Sequence, residues 1–330
     1  MVLERRIILT QQRALNSAIR DCITGISLSL LIFSATLYLP LLGFFLALVL
    51  PMPVTFYRLK LGRKLGALIM AAVCAIIAGV TGGISLDIFF FGSLLLTGFV
   101  LGEFIEMHLS IEKIGLYTCL TTMGTCLVIL FLYSITKGQD LFSMVSDYVG
   151  ANLEMTLTLY SSMGVPQESI DLVSRSIDTI QYVLVRIMPA LFSMMIMFVV
   201  WVNTLFIKTM LIKKGLRVVQ FEGLNRWRAP EKLVWPVILC GLILFIPVTG
   251  IKILGLNCIL IIMPIYFFQG IAVISFVFEK RKFPRVVQFF IYSIIAIQQI
   301  FLFVVVGLGF FDTWINFRKI GAVIDGKDQN

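Results

Sequence analysis

Residues 179–207, TIQYVLVRIMPALFSMMIMFVVWVNTLFI, contain a single charged residue, Arg186. A helix needs about 20 largely apolar residues to cross the hydrocarbon of a bilayer, and this stretch exceeds that length. It therefore predicts a transmembrane helix. Similar apolar runs predict further helices at residues 22–39, 41–57, 65–82, 86–106, 114–136, 233–249, 253–279 and 286–310. The expected fold class is an all-α, polytopic transmembrane bundle of about nine spans.

The composition of the whole chain supports a lipid environment. Hydrophobic residues make up 59% of the sequence and charged residues 14%. Ordinary soluble domains are about 45–50% apolar and about 25% charged. The net charge of +9 comes from basic residues that cluster between the apolar runs. Contact with lipid headgroups explains such clusters better than nucleic-acid binding, which we do not expect.

The position of the basic clusters predicts the orientation. They precede the first predicted span and follow the second, sixth and eighth, whereas the connection at 137–178 is mainly acidic. Positively charged loops favour the cytoplasmic side, so the N-terminus is expected in the cytoplasm. The clusters contain Arg5, Arg6, Arg13, Arg20, Arg58, Lys60, Arg63, Lys64, Lys208, Lys213, Lys214, Arg217, Arg226, Arg228, Lys232, Lys280, Arg281, Lys282 and Arg285.

The order of the spans predicts four segments. A five-span membrane bundle occupies 1–136, an extracytoplasmic helical segment 137–178, a four-span bundle 179–320, and a mobile tail 321–330. Residues 250–279 are open to two interpretations, a single kinked helix or a re-entrant piece followed by a helix. The side of the membrane that holds the C-terminus depends on that choice.

The connection at 137–178 has apolar residues at helical spacing on both sides of the break at Gly164 to Pro166. This periodicity predicts two amphipathic helices on the outer surface. They could form a lid over a cavity or an inert pair of interfacial helices.

The sequence does not indicate an enzyme. The single histidine, His108, lies beside Glu103 and Glu106, which is typical of a polar cluster where a helix meets water. Neither an HExxH motif nor a Walker lysine motif is present, and no Ser-His or Cys-His pairing is evident. The six cysteines form no CxxC pair, so we expect no metal and no cofactor.

Polar residues inside the predicted spans are the candidate ligand-binding residues. A central arginine is costly in lipid, so Arg186 is expected to face a cavity or to extend its guanidinium to the interface. Asn257, Tyr266 and Gln269 share one span, and Gly270 permits a close backbone approach to Gln269. Hydrogen bonding between helices is the alternative role of these side chains.

Three further features concern packing or the interface. Pro51 and Pro53 interrupt the second span, which frees backbone carbonyls for partners or for a cavity. Gly98 and Gly102 form a GxxxG face that favours close helix packing. The aromatic segment at 311–318 suggests an interfacial collar in which Asp312 pairs with Arg318.

Several blocks of this sequence resemble the YybS-like family of predicted bacterial membrane proteins. They are Leu37-Tyr38-Leu39-Pro40-Leu41-Leu42-Gly43, Leu50-Pro51-Met52-Pro53, the basic turn at 58–64, Arg226-Trp227-Arg228-Ala229-Pro230, Gly255-Leu256-Asn257, the run from Tyr266 to Val273, and the segment from Asp312 to Arg318. The resemblance implies a multi-pass protein of the bacterial cytoplasmic (inner) membrane.

The N-terminal part of that family is similar to the S components of energy-coupling-factor transporters. This similarity implies a helical bundle that holds a small ligand and is coupled to a transmembrane partner and an ATPase. Two functions therefore follow as expectations. The first is binding or transport of a small molecule, and the alternative is a membrane scaffold or assembly protein that acts through partner proteins.

Overall fold

The computed structural model describes residues 2–83, 85–213 and 224–318, and within these ranges the chain is all-α, with no strand. The predicted tail at 321–330 and part of the basic connection at 208–232 lie outside the described residues. The chain divides into two compact units. The N-terminal unit comprises Met1–Gln181 and Met195–Val219, and the C-terminal unit comprises Tyr182–Met194 and Gln220–Asn330. This division by contacts does not test the four segments predicted along the chain, which stay a prediction.

From α1 to α9, and again from α10 to α13, the helices follow one another with short connections. Eight of them precede the long helix that contributes to both units: α1 (Val2–Tyr38), α2 (Pro40–Val49), α3 (Pro51–Leu61), α4 (Arg63–Val80), α5 (Leu86–Glu106), α6 (Ile111–Lys137), α7 (Leu141–Ser162) and α8 (Gln167–Arg175). That long helix is α9 (Ile177–Lys213), and it is followed by 3-10 turns at Leu224–Arg226 and Glu231–Leu233 and by α10 (Val234–Ile243), α11 (Thr249–Lys280), α12 (Arg285–Ile297) and α13 (Gln299–Ile315).

Six of the described helices are long and apolar enough to cross a bilayer, and the bent pair α12 and α13 could supply a seventh span. The six are α1 (over Leu15–Tyr38), α4, α5, α6, α9 and α11. The predicted number of about nine is not confirmed, because α2, α3 and α10 have only 10, 11 and 10 residues. Each is shorter than the roughly 20 residues that a span requires.

Proline breaks the predicted second span as expected. The predicted helix at 41–57 is divided between α2, which ends at Val49, and α3, which begins at Pro51. Pro51 has no N–H to donate to the preceding turn. At the break, the Asn203 side-chain amide of α9 donates to the carbonyl of Leu48 over 2.7 Å. Backbone left free by the break thus has a partner within the N-terminal unit.

Two predictions near the C-terminus have different outcomes. Residues 250–279 belong to one continuous helix, α11, which contains Pro264, so the re-entrant alternative is wrong for this stretch. The predicted single helix at 286–310 is also wrong, because α12 and α13 meet at an angle of 106°. Gln298 between them is extended, with φ −98° and ψ 112°. This conformation ends the helical hydrogen bonding, and Gln298 and Gln299 are exposed at the bend.

Two helices are confirmed within 137–178, namely α7 and α8. Their predicted place on the outer surface stays a prediction. Asp140 caps α7 by accepting from the backbone N–H groups of Phe142 and Ser143, which satisfies donors that the first helical turn leaves free. Gly164, at φ +76°, makes the turn between the helices. At this φ a residue with a side chain would be strained.

The segment containing α7 is attached to two other helices of the N-terminal unit. The Tyr148 phenol on α7 donates to the Asp87 carboxylate at the start of α5 over 2.7 Å. Burial, then the hydrogen bond to Asp87 and its charge, raise the pKa of Tyr148 to about 12. The Gln181 amide of α9 donates to the Ser146 carbonyl over 2.9 Å. Both bonds hold α7 against the ends of the neighbouring helices.

Close packing of α5 against α3 and α4 brings the polar ends of the N-terminal unit together. A Cβ at Gly98 would lie 2.5 Å from the Pro51 carbonyl oxygen, and one at Gly102 would lie 2.6 Å from Cδ of Arg58. The prediction that the GxxxG face permits close packing is therefore confirmed. The Thr55 hydroxyl donates to the Gly98 carbonyl over 2.9 Å, which adds a hydrogen bond between the two helices.

Glycines also allow α11 and α13 to touch in the C-terminal unit. A Cβ at Gly309 would lie 1.9 Å from the Tyr266 carbonyl oxygen, and one at Gly270 would lie 2.1 Å from the Val305 carbonyl oxygen. These atoms belong to the backbone and cannot move aside without displacing a helix. The contact therefore requires glycine on both helices.

We expect Gly309→Ala to lower the stability of the C-terminal unit by about 1–3 kcal/mol, the usual cost of overpacking a tight contact. Gly307→Ala is the matched control, because a Cβ at Gly307 has open space around it. Both substitutions replace glycine by a better helix former on the same helix. Thermal unfolding of the detergent-solubilised proteins measures the difference. Equal unfolding temperatures for the two variants would contradict the close contact.

Candidate functional site

A groove in the N-terminal unit, lined by α1, α3 and α9, is the principal candidate site. Its volume is about 740 Å³. The lining is largely apolar, and its apolar side chains include Leu28, Ile32, Met52, Phe56 and Met210. A volume of about 300–1,000 Å³ is typical of sites that bind small molecules. The groove is thus large enough for a ligand of that class.

Charged residues line the groove beside this apolar wall. Lys60 Nζ of α3 lies 2.7 Å from the Asp21 Oδ2 atom of α1. The Asp21 side chain is 15% exposed and that of Lys60 is 38% exposed. Arg20 also lines the groove and is exposed. The groove therefore offers an apolar surface together with two cations and one carboxylate.

The ion pair between Asp21 and Lys60 also locates the ends of two helices. Asp21 lies near the N-terminal end of the apolar part of α1, and Lys60 lies in the last turn of α3. Their contact brings these ends to the same level of the N-terminal unit. The chain that leaves along α1 thus returns along α2 and α3, and the groove lies between the outgoing and returning helices.

A buried arginine beside the groove was missed by sequence reasoning. Arg58 belongs to the basic turn that we used for orientation, yet it is 1% exposed. Its NH2 atom lies 2.8 Å from Oε1 of Glu103, and it also pairs with Glu106. Gly66 and Gly102 leave space for its aliphatic carbons. Glu103, Glu106 and Gly102 on α5 are the sequence features that could have indicated a partner for Arg58. Their contact with Arg58, however, depends on the packing of α3 against α5.

The polar cluster predicted around His108 contains this ion pair. His108 itself is exposed and has a positive φ of 53° in the turn after α5. Over residues 2–83, 85–213 and 224–318, no group of three or more histidine, cysteine or acidic residues is placed to hold a metal ion.

Two of the four predicted ligand-binding residues meet within the C-terminal unit. The Asn257 side-chain amide donates to the backbone carbonyl of Arg186 over 3.1 Å and to that of Ile253 over 2.8 Å. The Arg186 guanidinium lies 3.4 Å above the ring of Tyr182 and donates to the Tyr182 carbonyl. Asn257 therefore links two helices through the backbone.

The other two predicted residues, Tyr266 and Gln269, lie one turn apart on α11. Tyr266 is 2% exposed, and its hydroxyl has no hydrogen-bond partner among the described residues. Gln269 is 1% exposed and uses both ends of its amide. It accepts from the Ala229 backbone N–H over 3.2 Å and donates to Asp312 over 3.1 Å. The ligand-binding role of all four residues stays a prediction.

Asp312 and Arg318 form the buried ion pair of the C-terminal unit. Arg318 NH2 lies 2.7 Å from Asp312 Oδ2, and both side chains are fully buried. Arg318 NH1 donates to the carbonyls of Asn225 and Trp227 over 3.0 and 2.8 Å. The predicted pairing is confirmed. It is more than an interfacial collar, because it fastens the connection before α10 to the end of α13.

Burial lowers the pKa of the Arg318 guanidinium, and the charge of Arg228 lowers it further. The hydrogen bond and the charge of Asp312 act in the opposite direction and favour the protonated form. The carboxylate therefore offsets part of the cost of burying the guanidinium.

A protein family described as predicted membrane proteins, DUF2232, matches residues 27–313. The chain belongs to the DUF2232 family. This membership agrees with the resemblance to YybS-like membrane proteins. No curated protein and no solved structure shows significant similarity to the chain. The similarity to S components is not shown by these comparisons.

In this DUF2232 protein, we expect Asp312→Asn to lower the free energy of unfolding by about 3–5 kcal/mol, because it leaves a buried guanidinium without its counter-charge. Arg281→Gln is the control, since Arg281 is exposed in the same unit. Thermal unfolding in detergent measures both variants. A loss no larger in Asp312→Asn than in the control would show that the ion pair does not stabilise the unit.

Proposed function

We propose that this DUF2232 protein binds a small amphipathic molecule in the groove between α1 and α3. The observation that supports the proposal is a volume of about 740 Å³ that combines apolar lining with charged side chains. The apolar wall suits a hydrocarbon or ring system, and Arg20, Asp21 and Lys60 suit a polar group attached to it. The proposal assigns no catalytic residue to the chain.

Transport in the manner of an S component is the form of this function that we favour. The groove is bordered by α1, most of whose apolar surface faces outward. Leu28 and Leu31 of α1 are 41% and 65% exposed. Such a face is available to lipid or to a transmembrane coupling protein. Because the sequence has no Walker lysine motif, an ATPase partner or an ion gradient would supply the energy.

A scaffold or assembly role is the alternative, and the exposed faces of α7 and α8 favour it. Neither helix is among the candidate spans, yet Met155, Leu159 and Leu172 are 64%, 50% and 63% exposed. Apolar side chains outside the spans can dock a partner or lie in the headgroup zone. None of these three residues lines the groove.

We further propose that the protein resides in a bacterial cytoplasmic membrane with its N-terminus in the cytoplasm. The distribution of basic residues supports this orientation. The ion pairs Lys60–Asp21 and Arg58–Glu103 are consistent with it, because they bring the start of the apolar part of α1, the end of α3 and the end of α5 to one level. In a topology of about nine spans, α2 and α3 would cross together as one broken span, and α10 would be a short one.

Leu28→Trp is expected to reduce the amount of co-purified small molecule to about one tenth or less, because an indole would fill part of the groove and loss of about 1.4 kcal/mol already weakens binding tenfold. Leu31→Trp is the matched control on α1, as Leu31 is exposed and does not line the groove. Native mass spectrometry of gently solubilised protein, followed by extraction and identification of bound molecules, provides the measurement.

The same experiment separates the two functions. A molecule retained by the wild type and by Leu31→Trp but lost from Leu28→Trp would support ligand binding in the groove. If the wild type carries no small molecule and shows no thermal shift with a panel of vitamins, the ligand-binding proposal fails. Co-purification of a defined membrane partner that survives Leu28→Trp would then favour the scaffold.

Cysteine labelling tests the proposed orientation. In a background without the six native cysteines, we expect Ser162→Cys to react with a membrane-impermeant maleimide on intact cells. Lys64→Cys is expected to react only after lysis, because Lys64 belongs to the basic cluster at 58–64 and lies in the first turn of α4. Both positions are exposed. Labelling in the reverse order would overturn the orientation.

A further inference from the structure

A pair of arginines in the C-terminal unit lies outside the groove and has no part in the proposed function. Arg318 NH1 donates to the carbonyl of Trp227, the residue immediately before Arg228. Arg228 NH2 in turn donates to the side-chain oxygen of Asn316, two residues before Arg318. These two reciprocal contacts hold the guanidinium groups of Arg228 and Arg318 close together at the end of α13.

The charges of this cluster do not balance among the described residues. Asp312 is the carboxylate that pairs with Arg318, and its oxygens are already occupied. Oδ2 accepts from Arg318 and Gln269, and Oδ1 accepts from the backbone N–H of Phe317 over 3.0 Å. No described carboxylate lies within ion-pair distance of Arg228. Two guanidinium groups thus share one carboxylate, which leaves a positive charge that a low-dielectric site disfavours.

Unused hydrogen-bond donors accompany the unbalanced charge. The Nε atoms of Arg228 and Arg318 are both buried, and neither has an acceptor within the described part of the chain. The Arg318 side chain is completely buried, so its Nε is shielded from bulk water. Leaving buried N–H donors of a charged group without acceptors is costly. An acceptor that also carries negative charge would both accept hydrogen bonds from these donors and neutralise the excess positive charge.

The surroundings place this cluster at the edge of the apolar helices. The last helical turn of α13 carries Trp314, which is 56% exposed, and Phe317 beyond it is 45% exposed. Tryptophan and other aromatic side chains favour the zone of lipid headgroups. Arg228 is half-buried, whereas Arg318 is buried. An anion could therefore reach Arg228 from the headgroup zone or from water.

We propose that Arg228 and Arg318 bind a phosphate-type anion, either the phosphate of an anionic lipid or free phosphate. Adjacent N–H groups of a guanidinium match the oxygens of a phosphate, and Arg is favoured for such contacts. The anion accepts from the two Nε donors and neutralises the excess charge. Asp312, Gln269 and Asn316 position the arginines. The site is separate from the groove and does not depend on a ligand being bound there.

Phosphate titration of the purified protein in neutral detergent tests the site. Thermal unfolding is followed with inorganic phosphate and with chloride at equal ionic strength. We expect a saturable rise in unfolding temperature that is specific to phosphate, with affinity about tenfold weaker in Arg228→Gln because at least one charge-assisted hydrogen bond is lost. Arg226→Gln is the matched control, since Arg226 is exposed two residues away and should behave as the wild type.

A second arm distinguishes the source of the anion. The protein is placed in nanodiscs of phosphatidylcholine with or without phosphatidylglycerol, and lipids retained after extraction into detergent are identified by native mass spectrometry. Retention of phosphatidylglycerol by the wild type and by Arg226→Gln, with loss from Arg228→Gln, identifies a lipid headgroup. A response to inorganic phosphate without retained lipid identifies free phosphate.

Two further variants keep the result interpretable. Arg228→Lys preserves the charge but removes the guanidinium, so it should lose most of the phosphate response even if Arg228→Gln does not fold. Glu222→Gln removes an acidic residue that lies six positions before Arg228 in the sequence. The proposal is overturned if wild-type protein responds equally to phosphate and chloride and retains no anionic lipid, or if phosphate binds only to Glu222→Gln.

Discussion

Hydrocarbon offers no hydrogen bonds, and this constraint shapes each element of the chain. Every backbone donor and acceptor inside the bilayer has to be satisfied by the protein itself. An α-helix meets this requirement because its backbone hydrogen bonds form within a single segment. Buried hydroxyl groups follow the same rule. Ser29, Thr97 and Thr204 each donate to the carbonyl four residues earlier in their own helix. A polar side chain is thereby accommodated within an apolar layer without a partner from another helix.

A buried charged side chain needs a partner of opposite charge as well as hydrogen bonds. In this chain the buried arginines lie where helices end. Arg58 lies in the last turn of α3 against carboxylates at the end of α5, and Arg318 lies just beyond α13 against Asp312. In both cases glycine permits the nearby helices to approach, with Gly102 against Arg58 and Gly309 against Tyr266. Among the described residues, each unit therefore has a packed apolar body and a buried arginine whose ion pairing fixes the ends of its helices.

Most of the helical architecture could be predicted from hydropathy and from glycine and proline. The helices α4, α5, α6 and α11 lie close to their predicted positions, since long apolar runs admit few alternatives in lipid. The bend at Gln298 could not be predicted, because no proline or glycine marks it and the sequence on both sides is apolar.

The groove could not be predicted from the sequence either. Asp21 and Lys60 are distant in sequence, and only the return of α2 and α3 along α1 brings them into contact. Of the predicted polar residues, Asn257 and Gln269 lie in hydrogen bonds between segments, a role that hydropathy does not distinguish from ligand binding.

The break between α2 and α3 has a mechanical consequence for the groove. Asn203 of α9 holds the Leu48 carbonyl just before the break, and Met210, two turns further along α9, lines the groove together with Met52 and Pro53 just after the break. The part of α9 that belongs to the N-terminal unit thus contacts the break and also supplies part of the groove wall. Sliding α9 along its axis would pull on Leu48 and displace Met210 in the same direction. A shift of this part of α9 would therefore change the width of the groove.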